Sequence, residues 1–350
     1  MSLSRWFAGA AVALGLAASL AAQAQIPTMA FDSVPDFLKT PNDVYIGEVG
    51  GVGANAKGDI FVYTRTGHPY ATLGDNRTFA HGGSRLFQFD ARGRFVRELG
   101  QDVYGFNAAI GLRVDPRGNV WTVDASAGQV VKFDPEGRIA LVLGRKPEAI
   151  AVRPAAPGTP GRGSGNGAGT PGSTFSMPAD VAWDRAGNIY IADGLGANNQ
   201  IAKFDKNGRF LTHWGSTGAR QGQFAGAKAI VIDAQDNVYV ADLGNKRIQV
   251  FDAQGSFKAE FSGLGTPRAM CITPGNPQVL FIAHAEDDAG MDDAAIDKVR
   301  LDGTVVGRFG SAGKGPKEFG LVNSLDCRSD TELLVGETTN WRVQKVTLKR

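Results

Sequence analysis

The stretch DAQDNVYVADLGNKRIQVFD, residues 233–252, decides the fold of this chain. Val238 and Val240, and then Ile248 and Val250, alternate with polar or small neighbours. Because successive side chains of a β-strand point to opposite faces, this period of two predicts two short strands. The Asp, Asn and Gly residues around each run predict tight turns.

The same pattern recurs along most of the chain. Residues 115–134 (DPRGNVWTVDASAGQVVKFD) and 184–205 (DRAGNIYIADGLGANNQIAKFD) are clear copies, and weaker copies begin at Asn55, Asn276 and Asp330. Neighbouring copies start about 40 to 70 residues apart, which suits one four-stranded sheet per copy. Six copies predict an all-β fold, a six-bladed β-propeller.

The propeller is expected to span residues 47–350, as one domain. Its blades are predicted at about residues 47–100, 105–150, 175–215, 224–262, 265–310 and 319–350. The sixth blade has residues for only three strands, and segment 25–46 could supply its missing outer strand, which would close the ring and remove open edges. The Gly- and Pro-rich residues 153–173 predict a flexible surface insertion, with a lid over the propeller mouth as the alternative.

The start of the chain resembles an export signal. Arg5 precedes an apolar run from Trp6 to Ala22, and Ala22-Gln23-Ala24 places small residues where a signal peptidase cuts. Residues 1–24 are therefore predicted to be a secretory signal peptide, and the protein to be periplasmic or secreted. No later stretch reaches the roughly 20 apolar residues of a membrane span.

Composition and charge narrow the possible partners. The formal net charge is +2, and acids and bases are interspersed, whereas a nucleic-acid partner needs a basic stripe. We therefore expect no nucleic-acid partner and a monomeric protein. The 47 Gly and 43% hydrophobic residues suit an all-β domain with many turns.

Cys271 and Cys327 are the only cysteines, and both are expected in the innermost strands of blades five and six. Their aligned positions have opposite parity, as two residues facing each other across neighbouring blades would have, and also two residues facing apart. A disulfide and a pair of buried thiols both remain open for an exported protein.

The alternating strand direction predicts which residues meet at the mouth. In each blade the residue that opens the innermost strand and the residue that closes the second strand lie on the same face. The opening set is Gly50, Ile110, Ala179, Lys228, Arg268 and Asn323. The closing set is Thr64, Asp124, Asp193, Asp242, His284 and Glu337, with Arg65 and His68 just beyond Thr64.

Eight of these residues are predicted to bind a ligand: Arg65, His68, Asp193, Lys228, Arg268, His284, Asn323 and Glu337. Arg65, Lys228 and Arg268 offer contacts to an anion and are not required by the repeat. The three aspartates of the closing set belong to the repeat, where a carboxylate that caps turn amides is a structural device. The acidic stretch 286–297 lacks the spacing of a calcium loop and is interpreted as a solvated turn.

The octad GNKRIQVF at residues 244–251, with the lead-ins at 215–224 and 310–319, resembles the NHL-repeat propellers over residues 47–350. This resemblance implies a fold and no chemistry. Within that group, residues 61–68 and 111–134 are similar to the peptidyl-α-hydroxyglycine α-amidating lyase family, as are residues 141–145, 178–214 and 241–251.

The lyase resemblance implies a zinc ion held by three strand-opening His, with a Tyr and an Arg acting on the substrate. Arg65 stands at the position of the catalytic Arg. The other positions differ: Ile110, Lys228 and Asn323 replace the zinc ligands, Leu195 replaces the Tyr, Leu243 replaces a second Arg, and Ser324 replaces a calcium-binding Asp. Neither Ile nor a protonated Lys offers a lone pair, so the family's zinc site cannot assemble there.

The preferred hypothesis is a non-catalytic propeller that binds a small-molecule, peptide or protein ligand at its mouth, without a cofactor. One alternative is a metal-dependent lyase with a rebuilt site, in which Arg65 is catalytic and His68 and His284 join Glu337 or an Asp around zinc. The other is a lactonase-like hydrolase that binds calcium through Glu337, Asn323 and Asp193.

Overall fold

The computed structural model describes residues 26–66, 83–144 and 175–349, together with the backbone of residues 70–73 and 77–80. Every regular element within these ranges is a β-strand, and they hold no helix that could cross a membrane. The predicted signal peptide, His68 and the 153–173 insertion lie outside the described residues.

The strands follow one another as successive blades. The first strand is β1 (Phe31–Val34). Blade one begins with β2 (Glu48–Ala54) and β3 (Ile60–Arg65), continues after a separate hairpin of β4 (Tyr70–Leu73) and β5 (Arg77–Ala80), and ends with β6 (Ser84–Phe89) and β7 (Phe95–Leu99). Blade two contains β8 (Ala109–Val114), β9 (Val120–Asp124), β10 (Gln129–Phe133) and β11 (Ile139–Leu143). Blade three contains β12 (Asp180–Trp183), β13 (Ile189–Asp193), β14 (Gln200–Phe204) and β15 (Phe210–Trp214).

The second half of the ring is built in the same way. Blade four contains β16 (Ala227–Ile232), β17 (Val238–Asp242), β18 (Arg247–Phe251) and β19 (Phe257–Ser262). Blade five contains β20 (Pro267–Ile272), β21 (Val279–His284), β22 (Ala295–Arg300) and β23 (Val305–Phe309), followed by the short parallel pair β24 (Ser311–Ala312) and β25 (Glu318–Phe319). Blade six contains β26 (Val322–Cys327), β27 (Glu332–Glu337) and β28 (Arg342–Leu348).

The sixth blade is completed from the other end of the chain. In the first five blades the four strands pair antiparallel in sequence order, whereas in blade six β1 pairs with β28 as the outer strand. Phe31 lies opposite Leu348 and Val34 opposite Lys345. The predicted six-bladed, all-β fold and its closure by an N-terminal strand are confirmed.

Six apolar clusters fill the spaces between neighbouring blades, one at each interface. The cluster between the first and last blades places Val49, Val62 and Phe87 against Leu334 and Val343. Blades one and six therefore bury apolar surface against each other as the other pairs do, and the sheets form a closed ring.

The repeated aspartate explains the recurring turn sequence. Asp233 Oδ1 accepts the backbone N–H groups of Gln235 and Asn237 at 2.8 Å each, and Oδ2 accepts the Tyr239 hydroxyl at 3.1 Å. In blades two and three an indole N–H and a hydroxyl make the corresponding bond. One carboxylate thus satisfies the turn amides and orients an aromatic side chain.

The two cysteines are joined. Cys271 of β20 and Cys327 of β26 form a disulfide whose Cα atoms lie 5.6 Å apart, so the first of the two alternatives holds. The bond links the innermost strands of blades five and six across a sequence separation of 56 residues. On the chain-entropy account, a loop of this size stabilises the fold by about 4 kcal/mol.

Candidate functional site

In five of the six blades, irregular pairing in the innermost strand presents one residue at the mouth. The ladders of five innermost strands each contain a β-bulge near the mouth-side end, and the extra residues are Gly50, Ile110, Lys228, Arg268 and Asn323. A bulge takes one residue out of the ladder and redirects its side chain. These are five of the six strand-opening residues predicted from the sequence, and Ala179 holds the sixth place just before β12.

Direct contacts show that these positions converge. Lys228 Nζ donates to Asn323 Oδ1 at 3.0 Å, which joins blade four to blade six. Asn323 Nδ2 donates to the carbonyl oxygens of Gly50 at 2.5 Å and Ile110 at 2.8 Å, in blades one and two. One asparagine side chain therefore connects four of the six blades at the centre of the ring.

A buried arginine closes the channel beneath this level. Arg113 forms a bidentate pair with Asp180, at 2.9 and 2.5 Å, and donates to the carbonyl oxygens of Met270 at 2.8 Å and Leu325 at 3.0 Å. A cavity of about 10 Å³ remains between the two levels, which is room for about one water molecule. The ring is therefore closed at this level, and a ligand cannot pass through it.

Sequence reasoning missed Arg113 and Asp180. The available signal was an arginine inside the strand AIGLRV, which packs between two neighbouring blades and would otherwise have no polar partner.

The mouth is chemically two-sided. Blades one to three contribute Gly50, Ile110 and Ala179, which are small or apolar, whereas blades four to six contribute Lys228, Arg268 and Asn323. Gly50 and Ala179 are buried and Ile110 is partly exposed, so an organic anion can place its apolar part against Ile110 while its charged group faces the second side.

Two arginines at the mouth are paired with exposed carboxylates. Arg65 Nε lies 3.0 Å from Glu48 Oε2. Arg268 donates to the Ala285 carbonyl at 3.2 Å and to Asp288 at 2.7 Å, and the Asp288 side chain is 95% exposed. Ion pairs with such exposed carboxylates are weak, about 0 to 1 kcal/mol, so an incoming anion can replace them.

The acidic turn of blade five is tied to basic neighbours. Asp288 pairs with Arg268, and Glu286 pairs with Lys246 of blade four. Asp287 accepts two backbone N–H groups of its own turn. These contacts agree with an acidic turn for the first part of stretch 286–297. Its end differs from the prediction, because Ala295 begins β22 and Asp297 is fully buried and paired with Arg308.

Lys228 differs from the arginines because its partner is neutral. The residue is only 7% exposed, its Nζ donates to an amide oxygen, and it forms no ion pair with a carboxylate of the described residues. Burial lowers the pKa of Lys228 to about 8. The negative charge of Asp180 opposes this shift, and the positive charges of Arg65, Arg268 and Arg113 add to it. The buried ammonium is therefore poorly compensated.

The acidic closing residues are turn caps rather than mouth groups. Asp193 accepts the N–H groups of Ser176 and Met177 and is fully buried, and burial raises its pKa. Glu337, also fully buried, accepts the Gly320 N–H at 2.8 Å and pairs with Arg342. The prediction that Asp193 and Glu337 contact a ligand is corrected, because their oxygens already satisfy local donors.

The His284 side chain does not reach the mouth either. It is 2% exposed, its Nε2 lies 3.6 Å from Asp297 Oδ2, and its ring nitrogens make no hydrogen bond within the described structure. Asp297 in turn forms a bidentate pair with Arg308. His284 therefore belongs to the interior of blade five, which corrects its assignment as a ligand contact.

A rim of exposed apolar side chains, which sequence reasoning missed, lies on the same face of the ring as the basic residues. Its members are 39% to 78% exposed and lie in the mouth-side connections of five blades: Tyr45, Tyr104, Met177, Met291 and Trp341. The other large apolar residues that are exposed in the described ranges lie on outer strands. Exposed apolar groups gathered on one face indicate a binding surface.

The residues at the mouth do not fit the metal that the lyase resemblance implies. Of the three zinc-ligand positions, Ile110 has no donor atom, Lys228 presents N–H bonds, and the Asn323 oxygen already accepts from Lys228. The alternative calcium set fails as well, because Asp193 and Glu337 belong to separate turn networks. Within the described ranges no group of three or more His, Cys, Asp or Glu residues could hold a metal ion.

Comparison with known proteins agrees with the repeat architecture. The NHL repeat model matches residues 224–251, which include all but the last residue of the stretch that decides the fold. NHL repeat-containing protein 3 of Mus musculus is 33% identical over 166 residues, covering 45% of this chain and 43% of that protein. A probable peptidyl-α-hydroxyglycine α-amidating lyase of Caenorhabditis elegans is 26% identical over 219 residues, covering 59% of this chain and 56% of that protein.

The chain thus spans about half the length of these relatives. Among solved structures, a gluconolactonase from Xanthomonas campestris superimposes with a TM-score of 0.58 at 14% identity, covering 93% of this chain and 96% of that one. At this identity the likeness concerns the fold alone.

Proposed function

Starting from a six-bladed β-propeller that carries an NHL repeat, we propose that this protein is an exported binding module for a ligand with a carboxylate and an apolar body. A peptide C-terminus and a small organic acid share this chemistry. The observation that carries the proposal is that a strand end and two bulges place Arg65, Lys228 and Arg268, from three blades, on the mouth face.

The electrostatics of the mouth favour an anion. Burial lowers the pKa of Lys228, and the positive charges of Arg65 and Arg268 add to this effect. The described carboxylates paired with Arg65 and Arg268, Glu48 and Asp288, are exposed. An anion that binds here removes mutual repulsion and gives the buried ammonium a charged partner.

The apolar rim extends the binding surface beyond the anion. Tyr104 and Trp341 are 78% and 64% exposed, and aromatic side chains are enriched where peptides and proteins bind. The rim favours a peptide or a protein terminus over an inorganic anion, which would leave these side chains without a partner.

Two features support export. The apolar run before Ala24 has the form of a signal peptide, and a disulfide joins Cys271 to Cys327. Disulfides persist in oxidising compartments such as the periplasm. We therefore propose that the protein acts in the periplasm or outside the cell, without a bound metal.

A peptide-retention experiment tests the proposal. The immobilised protein is offered a pool of random pentapeptides with free C-terminal carboxylates and, separately, the same pool with C-terminal amides. We expect at least tenfold greater retention of the free-acid pool, because only its members can pair with the cations. Retention is measured by mass spectrometry of the eluted peptides.

Matched variants locate the binding. Arg268→Gln should reduce retention of the acids several-fold, whereas Arg185→Gln should not, because Arg185 pairs with one aspartate on the opposite face. Equal retention of both pools contradicts the proposal. A zinc or calcium ion bound stoichiometrically, and removed by EDTA together with a turnover, would favour the alternative of a metal-dependent enzyme.

A further inference from the structure

Trp341 is an exposed tryptophan in a backbone conformation that tryptophan rarely adopts. It lies in the mouth-side turn between β27 and β28, has a φ of 52° and is 64% exposed. A positive φ brings the Cβ atom of an L-residue close to its own backbone, which costs free energy when the side chain is bulky. Residues held in such conformations cluster at functional sites.

The repeat does not require a tryptophan at this position. The residue just before the third strand also has a positive φ in blades two, three and four, where it is Gly128, Asn199 and Lys246. Glycine and asparagine adopt this conformation readily. The left-handed turn therefore belongs to the fold, and an indole ring is not needed to form it.

Hydrogen bonds from neighbouring residues hold the turn in place. Asn340 Nδ2 donates to the Gly313 carbonyl at 2.9 Å and to Glu337 Oε2 at 2.6 Å. The Leu321 N–H donates to Thr339 Oγ1 at 2.8 Å. An aromatic side chain on a rigid turn is preorganised for binding, because it has little conformational freedom left to lose.

Tyr45 stands at the same seam, between blades six and one. Its neighbours Val44 and Ile46 pack into the apolar cluster of this seam, which also contains Val343, two residues after Trp341. Tyr45 itself is 75% exposed. Two exposed aromatic side chains therefore border one seam on the mouth face.

The seam also leads to Arg65. Thr338 Oγ1 donates to the Val49 carbonyl at 3.4 Å, which joins the end of blade six to β2. Glu48, the residue before Val49, lies opposite Arg65 and pairs with it. Arg65 and the two aromatic side chains thus border the same junction of two blades.

The charges at this junction do not favour a cationic ligand group. The charged side chains that border it include three acids and three bases: Asp43, Glu48, Glu98, Arg65, Arg85 and Lys314. Because the signs balance, a cation gains no net attraction here. The faces of the two rings favour an uncharged aromatic partner, which can stack on them.

We propose that Trp341 and Tyr45 form a subsite for an aromatic side chain of the ligand, next to the carboxylate contact at Arg65. The ligand class is then a peptide with Phe, Tyr or Trp close to its free C-terminus. The position of the aromatic group relative to the carboxylate rests on the proposed function. The subsite itself does not, because it follows from the exposure, rigidity and position of the two aromatic residues.

Sequencing of retained peptides tests the proposal. The immobilised full-length protein is offered random pentapeptides as free acids and, separately, as C-terminal amides, and the eluted peptides are sequenced by tandem mass spectrometry. We expect Phe, Tyr and Trp to be enriched at least threefold over the input at one of the last three positions. Trp341→Asn should remove this enrichment and keep the preference for acids. Leu211→Asn, which changes an exposed apolar residue of the outer strand β15, should keep both.

Urea denaturation provides a readout that distinguishes binding from a structural role. Asparagine suits the left-handed conformation, as Asn199 shows in blade three. Trp341→Asn should therefore unfold at a urea midpoint no lower than that of the wild type. A clearly lower midpoint would show that the indole ring supports the turn, and would overturn the proposal.

The two peptide pools separate this proposal from the one on which it partly rests. Equal aromatic enrichment in Trp341→Asn and the wild type overturns the aromatic subsite and leaves the carboxylate site intact. Equal retention of acids and amides, with an aromatic enrichment that Trp341→Asn removes, contradicts the carboxylate site and retains the aromatic subsite. Enrichment of Lys and Arg in place of aromatic residues, or no retained peptide from either pool, also overturns the proposal.

Discussion

At the residue scale, Lys228 is a lysine in an electrostatically unfavourable position. The bulge in β16 puts Lys228 at the ring centre, and Asn323 can hold its Nζ but cannot neutralise it. Burying an ammonium without a carboxylate costs free energy of folding, and positions of this kind occur where a function requires them.

The cost should appear as a pH dependence of stability. The pKa of Lys228 is about 8 in the folded protein and near 10.5 in the unfolded chain, so the unfolded state binds more protons between these values. The contribution of Lys228 to the free energy of unfolding should therefore rise from pH 8 to pH 10, by at most about 3 kcal/mol. Below pH 8 the full cost is present.

Urea denaturation of the wild type and of Lys228→Met at pH 7, 8, 9 and 10 measures this difference. We expect the wild type to be the less stable protein at pH 7 and the gap to narrow as the pH rises. Parallel stability curves for the two proteins would contradict the assignment of a lowered pKa.

The sequence identified some of these residues and misassigned others, for physical reasons. Lys228 and Arg268 could be found because they stand where the repeat requires no charge. Asp193 and Glu337 stand at equally regular positions, but their side chains turn inward to bind amides of the loop leading into their own blade. The direction in which these two side chains turn depends on loop conformation, which strand periodicity does not encode.

At the element scale, the innermost strands do two things. Their bulges present residues to the mouth, and their interiors hold the ring together through Arg113, which joins β8 to β12, β20 and β26. The period-two pattern predicts these strands well. It cannot reveal the bulges, because one extra residue in a ladder leaves the hydrophobic alternation on either side intact.

Removing the guanidinium should destabilise the ring strongly. In Arg113→Met the carboxylate of Asp180 would stay buried with only backbone N–H donors, at a cost of about 3 to 5 kcal/mol in the free energy of unfolding. Urea denaturation measures the loss. Arg138→Met is the control, because the exposed Arg138–Asp134 pair should contribute at most about 1 kcal/mol.

The double variant Arg113→Met/Asp180→Asn identifies the cause of the stability lost in Arg113→Met. It should recover part of the lost stability, because the uncompensated charge is gone. A loss in Arg113→Met as small as that in the control would show that the central network does not hold the blades together.

At the scale of the whole molecule, the fold brings together residues that lie far apart in the sequence. The six repeats, their ring and the N-terminal closing strand follow from repeat spacing, because each sheet can bury its faces only against a neighbour. The disulfide remained undecided from the sequence, since parity fits two cysteines that face each other and two that face apart. The apolar rim could not be foreseen, because its members lie in connections without periodicity.

The central claim is that this ring assembles Arg65, Lys228 and Arg268 into one carboxylate-binding mouth. Anomalous diffraction from crystals soaked in 4-bromobutyrate tests it most directly, because bromine marks the apolar end of a bound carboxylate. The account predicts a bromine peak over the partly exposed Ile110, with the carboxylate within hydrogen-bond distance of Arg268 or Lys228. Bromine sites only elsewhere on the surface, with the mouth empty, would contradict it.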